Sequence, residues 1–230
     1  MSAPDVTIIV PTLNAVSTID RTLRCLINES SAVSKRVKIF VIDGGSRDGT
    51  LDVVTMHSQI NILRQTSKGL GAARNEAVSK TISQFVAFCD ADDVWIEGSL
   101  GKKLEIMESS IDTWAVSGRV RFEQIKTSAS VGLPIRRRGG EEHEGYTPGA
   151  ALIRRHVFEV IVFDERLTIA ADTDWFIRAV SKFGDMAHLD ETVLIKGLRR
   201  GSLSTDVESY RKELMMSVRR HLQTLEGNQP

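Results

Sequence analysis

The chain lacks the features that mark several large classes of protein. Its 230 residues contain two cysteines, Cys25 and Cys89, each among apolar neighbours. That is too few for a disulfide-framed scaffold, and two buried free thiols are the expectation. Net charge is also missing, because 30 Lys and Arg balance 30 Asp and Glu. A nucleic-acid binder usually shows a basic footprint, so nucleic acid is not an expected partner. No apolar run approaches the roughly 18 residues of a membrane span. The N-terminus has no basic stretch followed by an apolar core, so no signal peptide is visible and the cytoplasm is the expected compartment. No Gly-Lys-Ser or Gly-Lys-Thr occurs, which excludes a P-loop NTPase. There is no internal repeat and no low-complexity tract.

What is present is an ordinary globular composition, 41% hydrophobic and 26% charged, in a length that favours one domain. Strands and helices alternate through the first half. Val6 to Val10 reads as a strand ended by Pro11. Ser17 can cap a helix running towards Asn28, with Ile19, Leu23, Leu26 and Ile27 on one face. Lys38 to Ile42 and Ile60 to Leu63 read as further strands, with a short helix from Thr50 to Met56 between them. A helix from about Ala72 to Lys80 precedes a fourth strand at Phe85. This alternation predicts an α/β fold, a mostly parallel central sheet flanked by helices on both faces. In the second half, Trp114 to Glu123 reads as a longer half-exposed strand, Ala150 to Ile153 as another, and Met186 to Ile195 as the last. Residues 127–145 have little periodicity and are expected to form a mobile loop. Within it, Arg136-Arg137-Arg138-Gly139-Gly140 could be a gate or a solvated basic run. His143 has no metal partner at ligand spacing. Asp172 to Lys182 is expected to be a helix with Trp175, Phe176, Ala179 and Val180 facing inward. Residues 1–205 would form a single domain. Residues 206–230 would form an amphipathic helix striped by Val207, Tyr210, Leu214, Val218, Leu222 and Leu225. Such a helix can pack on the domain, pair with a second copy as a homodimer, or rest as a peripheral element on an anionic membrane face. Packing is the expectation.

The run Phe85-Val86-Ala87-Phe88-Cys89-Asp90-Ala91-Asp92-Asp93 carries the most chemistry. A buried strand ends in three carboxylates, which are costly side by side unless a cation or hydrogen-bond donors hold them. Oxygen ligands suit a hard ion such as Mg²⁺ or Mn²⁺, and the carboxyl ends of strands are where open α/β sheets place ligands. The alternative is a solvated acidic turn that caps the next helix. Pro11-Thr12-Leu13-Asn14 offers hydrogen-bonding groups at the same sheet edge, either for a nucleobase or as a plain strand-ending turn. In Asp43-Gly44-Gly45-Ser46-Arg47-Asp48-Gly49-Thr50 the glycines fit a turn and Asp48 a helix cap, while Asp43 could accept the N–H of a pyrimidine. Gly69-Leu70-Gly71-Ala72-Ala73-Arg74-Asn75 opens a helix whose N-terminus attracts anions. Arg74 stands where a dinucleotide fingerprint has its third glycine, so it reads either as a fork aimed at a base or phosphate or as a surface salt bridge.

Taken in order, these four segments resemble the inverting GT-A glycosyltransferases of family 2. The resemblance covers at least residues 6 to 108 and continues less tightly to about residue 205. It implies a GT-A (nucleotide-diphospho-sugar transferase) fold and transfer of a sugar from a nucleoside-diphosphate donor, UDP-sugar preferred, to a saccharide or lipid-linked acceptor. It places Pro11, Thr12, Asn14, Asp43 and Arg74 around the nucleotide base, with Asp90 reaching the ribose and Ala91 beside it. Asp92 would hold the Mg²⁺ or Mn²⁺ that bridges the diphosphate. Many members carry a second Asp where this chain has Gly44. Downstream, Ala171-Asp172-Thr173-Asp174-Trp175 looks like the family's Glu-Asp-x-Asp-Trp segment, with Ala171 replacing the Glu. Asp172 is then the catalytic base, and Trp175 borders the acceptor pocket unless it is a core tryptophan. Arg199-Arg200-Gly201-Ser202 resembles the late segment that closes over the diphosphate. Arg199 stands where a His is expected, so Arg199 or Arg200 could neutralise the leaving group, with Ser202 nearby. Two rivals remain. A non-catalytic nucleotide-sugar-binding protein would need Asp172 to be a mere cap. A sugar nucleotidyltransferase wants a glycine-rich basic loop directly after the first strand, where Pro11-Thr12-Leu13-Asn14 stands.

Overall fold

The computed structural model describes residues 3–124, 142–198 and 207–227. The first four strands are β1 (Val6–Thr12), β2 (Val37–Asp43), β3 (Ile60–Arg64) and β4 (Phe85–Phe88), linked by the helices α1 (Ile19–Ala32), α2 (Thr50–Thr55) and α3 (Leu70–Ser79). All four strands are parallel, with Val6 opposite both Val37 of β2 and Phe85 of β4. There follow β5 (Val94–Trp95), α4 (Ser99–Ser109), β6 (Ala115–Gln124), β7 (Glu142–Glu144), β8 (Leu152–Arg154), α5 (Val157–Val160), α6 (Ala171–Phe183), β9 (Ala187–Leu198) and α7 (Val207–Gly227). One sheet joins them in the order β3-β2-β1-β4-β8-β6-β9-β5, with β7 pairing β6. β8 runs antiparallel to β4 and β6, β5 antiparallel to β9, and β9 parallel to β6. A parallel half is thus joined to a mixed half.

Period-two alternation explains why both sheet faces are covered. Ile8 and Val10 of β1 and Ala87 of β4 pack with Leu23 and Leu26 of α1. Their neighbours Ile9, Val86 and Phe88 point the other way, onto Ala73 and Ala77 of α3 and Trp175 of α6. The chain winds outward from β1 to β3 and then returns to place β4 on the other side of β1. That reversal is a topological switch point, and the crevice beyond the carboxyl ends of β1 and β4 is where such a sheet receives a ligand. β4 pairs β1 only as far as Ile9 opposite Phe88. Pro11, which has no N–H to give, lies beyond that pairing, where the two strands part.

Three expectations need amendment. β5 and α4 were not predicted. α4 begins at Gly98, which has a left-handed backbone and no capping side chain of its own. β6 alternates only in its second half, because Ala115, Val116, Ser117 and Gly118 are all buried. The expected loop at 127–145 lies largely outside the described residues, and its end, Glu142–Glu144, forms β7 against β6. The Arg136–Gly140 run falls outside them as well. Both cysteines are free. No helix among the described residues is long and apolar enough to cross a membrane.

Candidate active site

The loops after β1 and β2 are locked together at the sheet's carboxyl edge. Asn14 has a left-handed backbone, φ 49°, and its side-chain oxygen accepts the Arg47 N–H at 2.9 Å while its own N–H donates to Ser46 Oγ at 2.9 Å. The Asp43 carboxylate accepts the Gly45 and Ser46 amides at 3.0 and 3.1 Å. Asp48 accepts the Thr50 N–H at the start of α2, but it stands one residue before the N-cap, which is Gly49. Asn14 and Asp43 therefore build the loop that would receive a base, and a carboxylate retains further acceptor sites beyond those two amides. Thr12 is buried, with its hydroxyl donating to Val10 O at 3.1 Å. Pro11 is buried beside it.

Across the switch point, the exit of β4 is a charge network. Ala91 is buried, and its carbonyl accepts the Thr22 hydroxyl at 3.1 Å, which pins the Asp90–Asp93 turn onto α1. Lys196 of β9 places its ammonium between two of the carboxylates, 2.8 Å from Asp90 and 3.0 Å from Asp93. Asp93 also accepts the Gly197 amide at 2.9 Å. Burial opposes ionisation of Asp90, yet Lys196 and Arg74 overcome it and hold the carboxyl well below its usual range. Burial, with Asp90 and Asp92 adding repulsion, pushes Asp93 up to about 7 against the pull of Lys196. Lys196 itself is held well above its usual value, because Asp90 and Asp93 outweigh its desolvation. Sequence reasoning missed Lys196. Its one signal is a lysine interrupting the apolar run Val193-Leu194-Ile195.

Arg74 requires a correction. It was expected to face a base, but its side chain is 0% exposed and packs against the edge-to-face pair Phe88 and Phe163, 5.6 and 5.3 Å from the ring centroids. One terminal nitrogen binds Asp172 and the other binds Asp90 at 3.1 Å. The guanidinium fork thus joins two carboxylates and presents no exposed side-chain surface to a base. Its effect is to bring Asp172, at the start of α6, to the exit of β4. The Asp172 side chain keeps 26% of its surface exposed and that of Asp90 24%, so both carboxylates border solvent in the crevice.

Trp175 also requires a correction, because it borders no acceptor pocket. It is 0% exposed, stacks on Phe158 and Phe163 at 5.1 and 5.5 Å, and donates its indole N–H to Ile161 O at 3.0 Å. It belongs to the core under α6. Arg199, Arg200 and Ser202 lie outside the described residues. His143 sits on β7 against the Phe122 ring, 5.7 Å away.

Whether a divalent ion fits can be read from the donor set. Among the described residues no three His, Cys, Asp or Glu side chains converge as a metal cage. Asp90 and Asp93 are engaged by Lys196 and Arg74, and Asp92, the carboxylate the resemblance assigns to an ion, is half-buried at the strand exit. One carboxylate plus substrate phosphates and water is the usual donor set for Mg²⁺, which keeps much of its hydration. The residues fit an ion that arrives with a diphosphate and do not form a site for an ion alone.

Comparison with known proteins agrees with this geometry. The family model described as Glycosyl transferase family 2 matches residues 7–162. The Escherichia coli UDP-Glc:alpha-D-GlcNAc-diphosphoundecaprenol beta-1,3-glucosyltransferase WfgD is 32% identical over 105 residues, 44% of this chain and 40% of that protein. The matched segments span less than half the length of the curated relatives TuaG, EpsH and WfgD. Among solved structures, the mannosyltransferase PcManGT from Pyrobaculum calidifontis in complex with GDP-Man and Mn²⁺ superposes with a TM-score of 0.71 at 18% identity, covering 97% of this chain and 65% of that one. S. aureus TarS 1-349 in complex with UDP-GlcNAc gives 0.71 at 18%, covering 93% and 65%. Such low identities speak to the fold, and the fold is GT-A. The family match extends over more than half of the sequence and takes in the β1, β2, α3 and β4 segments that form the crevice, so this chain belongs to glycosyl transferase family 2.

Proposed function

We propose that the protein is a metal-dependent inverting glycosyltransferase that moves a sugar from a nucleoside-diphosphate donor, UDP-sugar preferred, to a hydroxyl of a saccharide or lipid-linked acceptor. One observation carries the reading. Arg74 ties Asp172 to Asp90, residues 82 positions apart in sequence, so a partly exposed carboxylate on α6 faces the acidic exit of β4. A base must stand beside the donor site to meet the acceptor hydroxyl, and an isolated helix cap would have no reason to share a guanidinium with Asp90.

In this reading Asp172 accepts the proton of the acceptor hydroxyl as its oxygen attacks the anomeric carbon. The in-line attack comes from the face opposite the diphosphate, so the anomeric configuration inverts, as the family implies. Arg74 holds the Asp172 carboxylate in one orientation, and its burial against Phe88 and Phe163 keeps the planar fork rigid. The loops of β1 and β2, with Asn14, Asp43 and Thr12, receive the base. Asp90 and Ala91 shape the turn beneath the ribose. Asp92 would hold the Mg²⁺ or Mn²⁺, which supplies positive charge against the departing diphosphate. Mn²⁺ accompanies a nucleotide-sugar in the PcManGT complex, and the name of WfgD gives a diphosphoundecaprenol-linked acceptor. Both support the cofactor and the acceptor class proposed here.

Thermal shifts with UDP, GDP, dTDP and CDP, each with and without Mn²⁺, test the donor, since a ligand at a hundred times its Kd adds about 2.7 kcal/mol to the native state. UDP with Mn²⁺ is expected to give the largest shift, and Asp92→Ala to remove the Mn²⁺-dependent part. Asp172→Asn is expected to keep nucleotide binding and lose turnover. A variant that turns over normally would move the base elsewhere.

A further inference from the structure

The helix that carries Asp172 lacks a cap of its own. Ala170 occupies the N-cap position of α6 and offers no side-chain acceptor. The missing acceptor comes from α7. Glu213 receives the amides of Thr168 at 3.0 Å, Ile169 at 2.8 Å and Ala170 at 2.9 Å. Burial works against the ionised form of Glu213, yet these three amides hold its carboxyl below the usual glutamate value. The contact is one of four. The Tyr210 hydroxyl meets Thr173 Oγ1 at 3.0 Å, Ser217 donates to Asp174, and Arg220 pairs with Asp164 at 2.8 Å. Residues 210, 213, 217 and 220 are spaced three, four and three apart, which puts them on one helix face. That polar face packs against the domain. Ser217 is buried, whereas Val218, from the apolar stripe of the sequence, is exposed. Thr173 and Asp174 follow Asp172 and residues 168–170 precede it, so α7 grips the chain on both sides of the base.

We propose that Glu213 is a positioning residue for the transfer step. By receiving the three amides ahead of α6 it fixes the turn that carries Asp172, and Arg74 then orients the carboxylate itself. The inference rests on the reading of Asp172 as the base. A carboxylate that must meet a hydroxyl proton at hydrogen-bond distance tolerates little displacement, and a misplacement near 1 Å costs about a hundredfold in rate. The contacts of Glu213, Tyr210 and Ser217 fall on residues 168–174, outside β1, β2, α3 and β4, and of the four only the Arg220 partner Asp164 lies against α3, at Gly71.

The test uses the full chain and measures release of nucleoside diphosphate from UDP-glucose and from GDP-mannose, with Mn²⁺ present and water as acceptor. Parent, Glu213→Ala, Glu213→Gln and Asp172→Asn are compared well below the lowest melting point among them. Glu213→Ala is expected to lower kcat about a hundredfold with the donor KM unchanged. Glu213→Gln, which keeps one acceptor oxygen and folds more readily, is expected to fall between Ala and parent. A lower melting point with parental kcat, or a loss confined to donor KM, overturns the positioning role. If Asp172→Asn is inactive while both Glu213 variants turn over normally, the inference fails and the assigned base stands. If Asp172→Asn turns over like the parent, or the parent releases diphosphate from neither donor, both fail together.

Discussion

Lys103 should make the protein less stable at neutral pH than it would be with an uncharged side chain. It lies on α4, is 0% exposed, and its ammonium has no hydrogen-bond partner among the described residues. Its compensation is the face of Trp95, 4.1 Å from the nitrogen to the ring centroid. Burial pulls the Lys103 pKa from 10.5 down to about 8, with Glu29 opposing. The sign follows from proton binding. Below about pH 8 both folded and unfolded chains carry the proton, and the folded state bears the whole cost of the buried charge. Between about 8 and 10.5 only the unfolded chain is protonated, so stability rises with pH through that window. At about 1.4 kcal/mol per pH unit, the cost at pH 7 is about 3 kcal/mol. A desolvated cation over an indole returns about 2 kcal/mol of that. Lys103→Met keeps the length and removes the charge, so it should gain about 1 to 3 kcal/mol at pH 7. Urea unfolding of parent and variant at pH 7, 8, 9 and 10 checks this, because other titrating groups cancel in the difference. The variant's advantage should shrink steadily above pH 8. A variant less stable than the parent at pH 7, or an advantage that does not change with pH, refutes the reasoning.

Three further outcomes follow from the geometry. Arg74→Lys can meet Asp172 or Asp90 but not both, so it should lose about 3 kcal/mol by the cost of a broken buried pair and most of its turnover, read by urea unfolding and donor hydrolysis. Glu29→Ala removes the acceptor of the Gly98 and Leu100 amides, held at 2.7 and 2.9 Å. It should cost about 2 kcal/mol without altering the donor KM. Trp175→Phe loses the bond to Ile161 and should lower stability by about 1 to 2 kcal/mol, yet leave kcat unchanged. A large loss of kcat at constant stability would return Trp175 to the acceptor site.

The parts of the fold that were legible in the sequence are those whose signals are local. β1, β2 and β4 are apolar runs ended by turn residues, and α1 shows its buried positions at helical spacing. α4 was invisible for a physical reason: its cap is Glu29, which accepts the Gly98 and Leu100 amides from about 70 residues upstream. α6 repeats the pattern, because Asp172 looked like a cap of its own helix while the capping acceptor is Glu213 on α7. The motifs located the site residues but not their partners. Arg74 was read by its neighbours in sequence, Gly69 to Asn75, and those say nothing of Phe88 and Phe163, the rings that seal it from solvent. The terminal helix was read by its apolar stripe, although the face that docks is held by hydrogen bonds and an ion pair.

Asp90 explains why the site behaves as one unit. It accepts Arg74 on one oxygen and Lys196 on the other, and each cation also holds a second carboxylate, Asp172 for Arg74 and Asp93 for Lys196. The chain Asp93–Lys196–Asp90–Arg74–Asp172 therefore runs from the turn after β4 to β9, back to that turn, and through α3 to the head of α6. Each link is a charge pair in a poorly hydrated place, where losing one partner leaves the other uncompensated. Asp90 is therefore in direct contact with both cations, and through Arg74 it stands one link from Asp172. In the proposed reading the ribose contact of Asp90 and the proton transfer at Asp172 are then joined through Arg74 by direct electrostatics. That link gives Asp172, on a helix whose approach is held by Glu213 of α7, a fixed relation to the turn after β4.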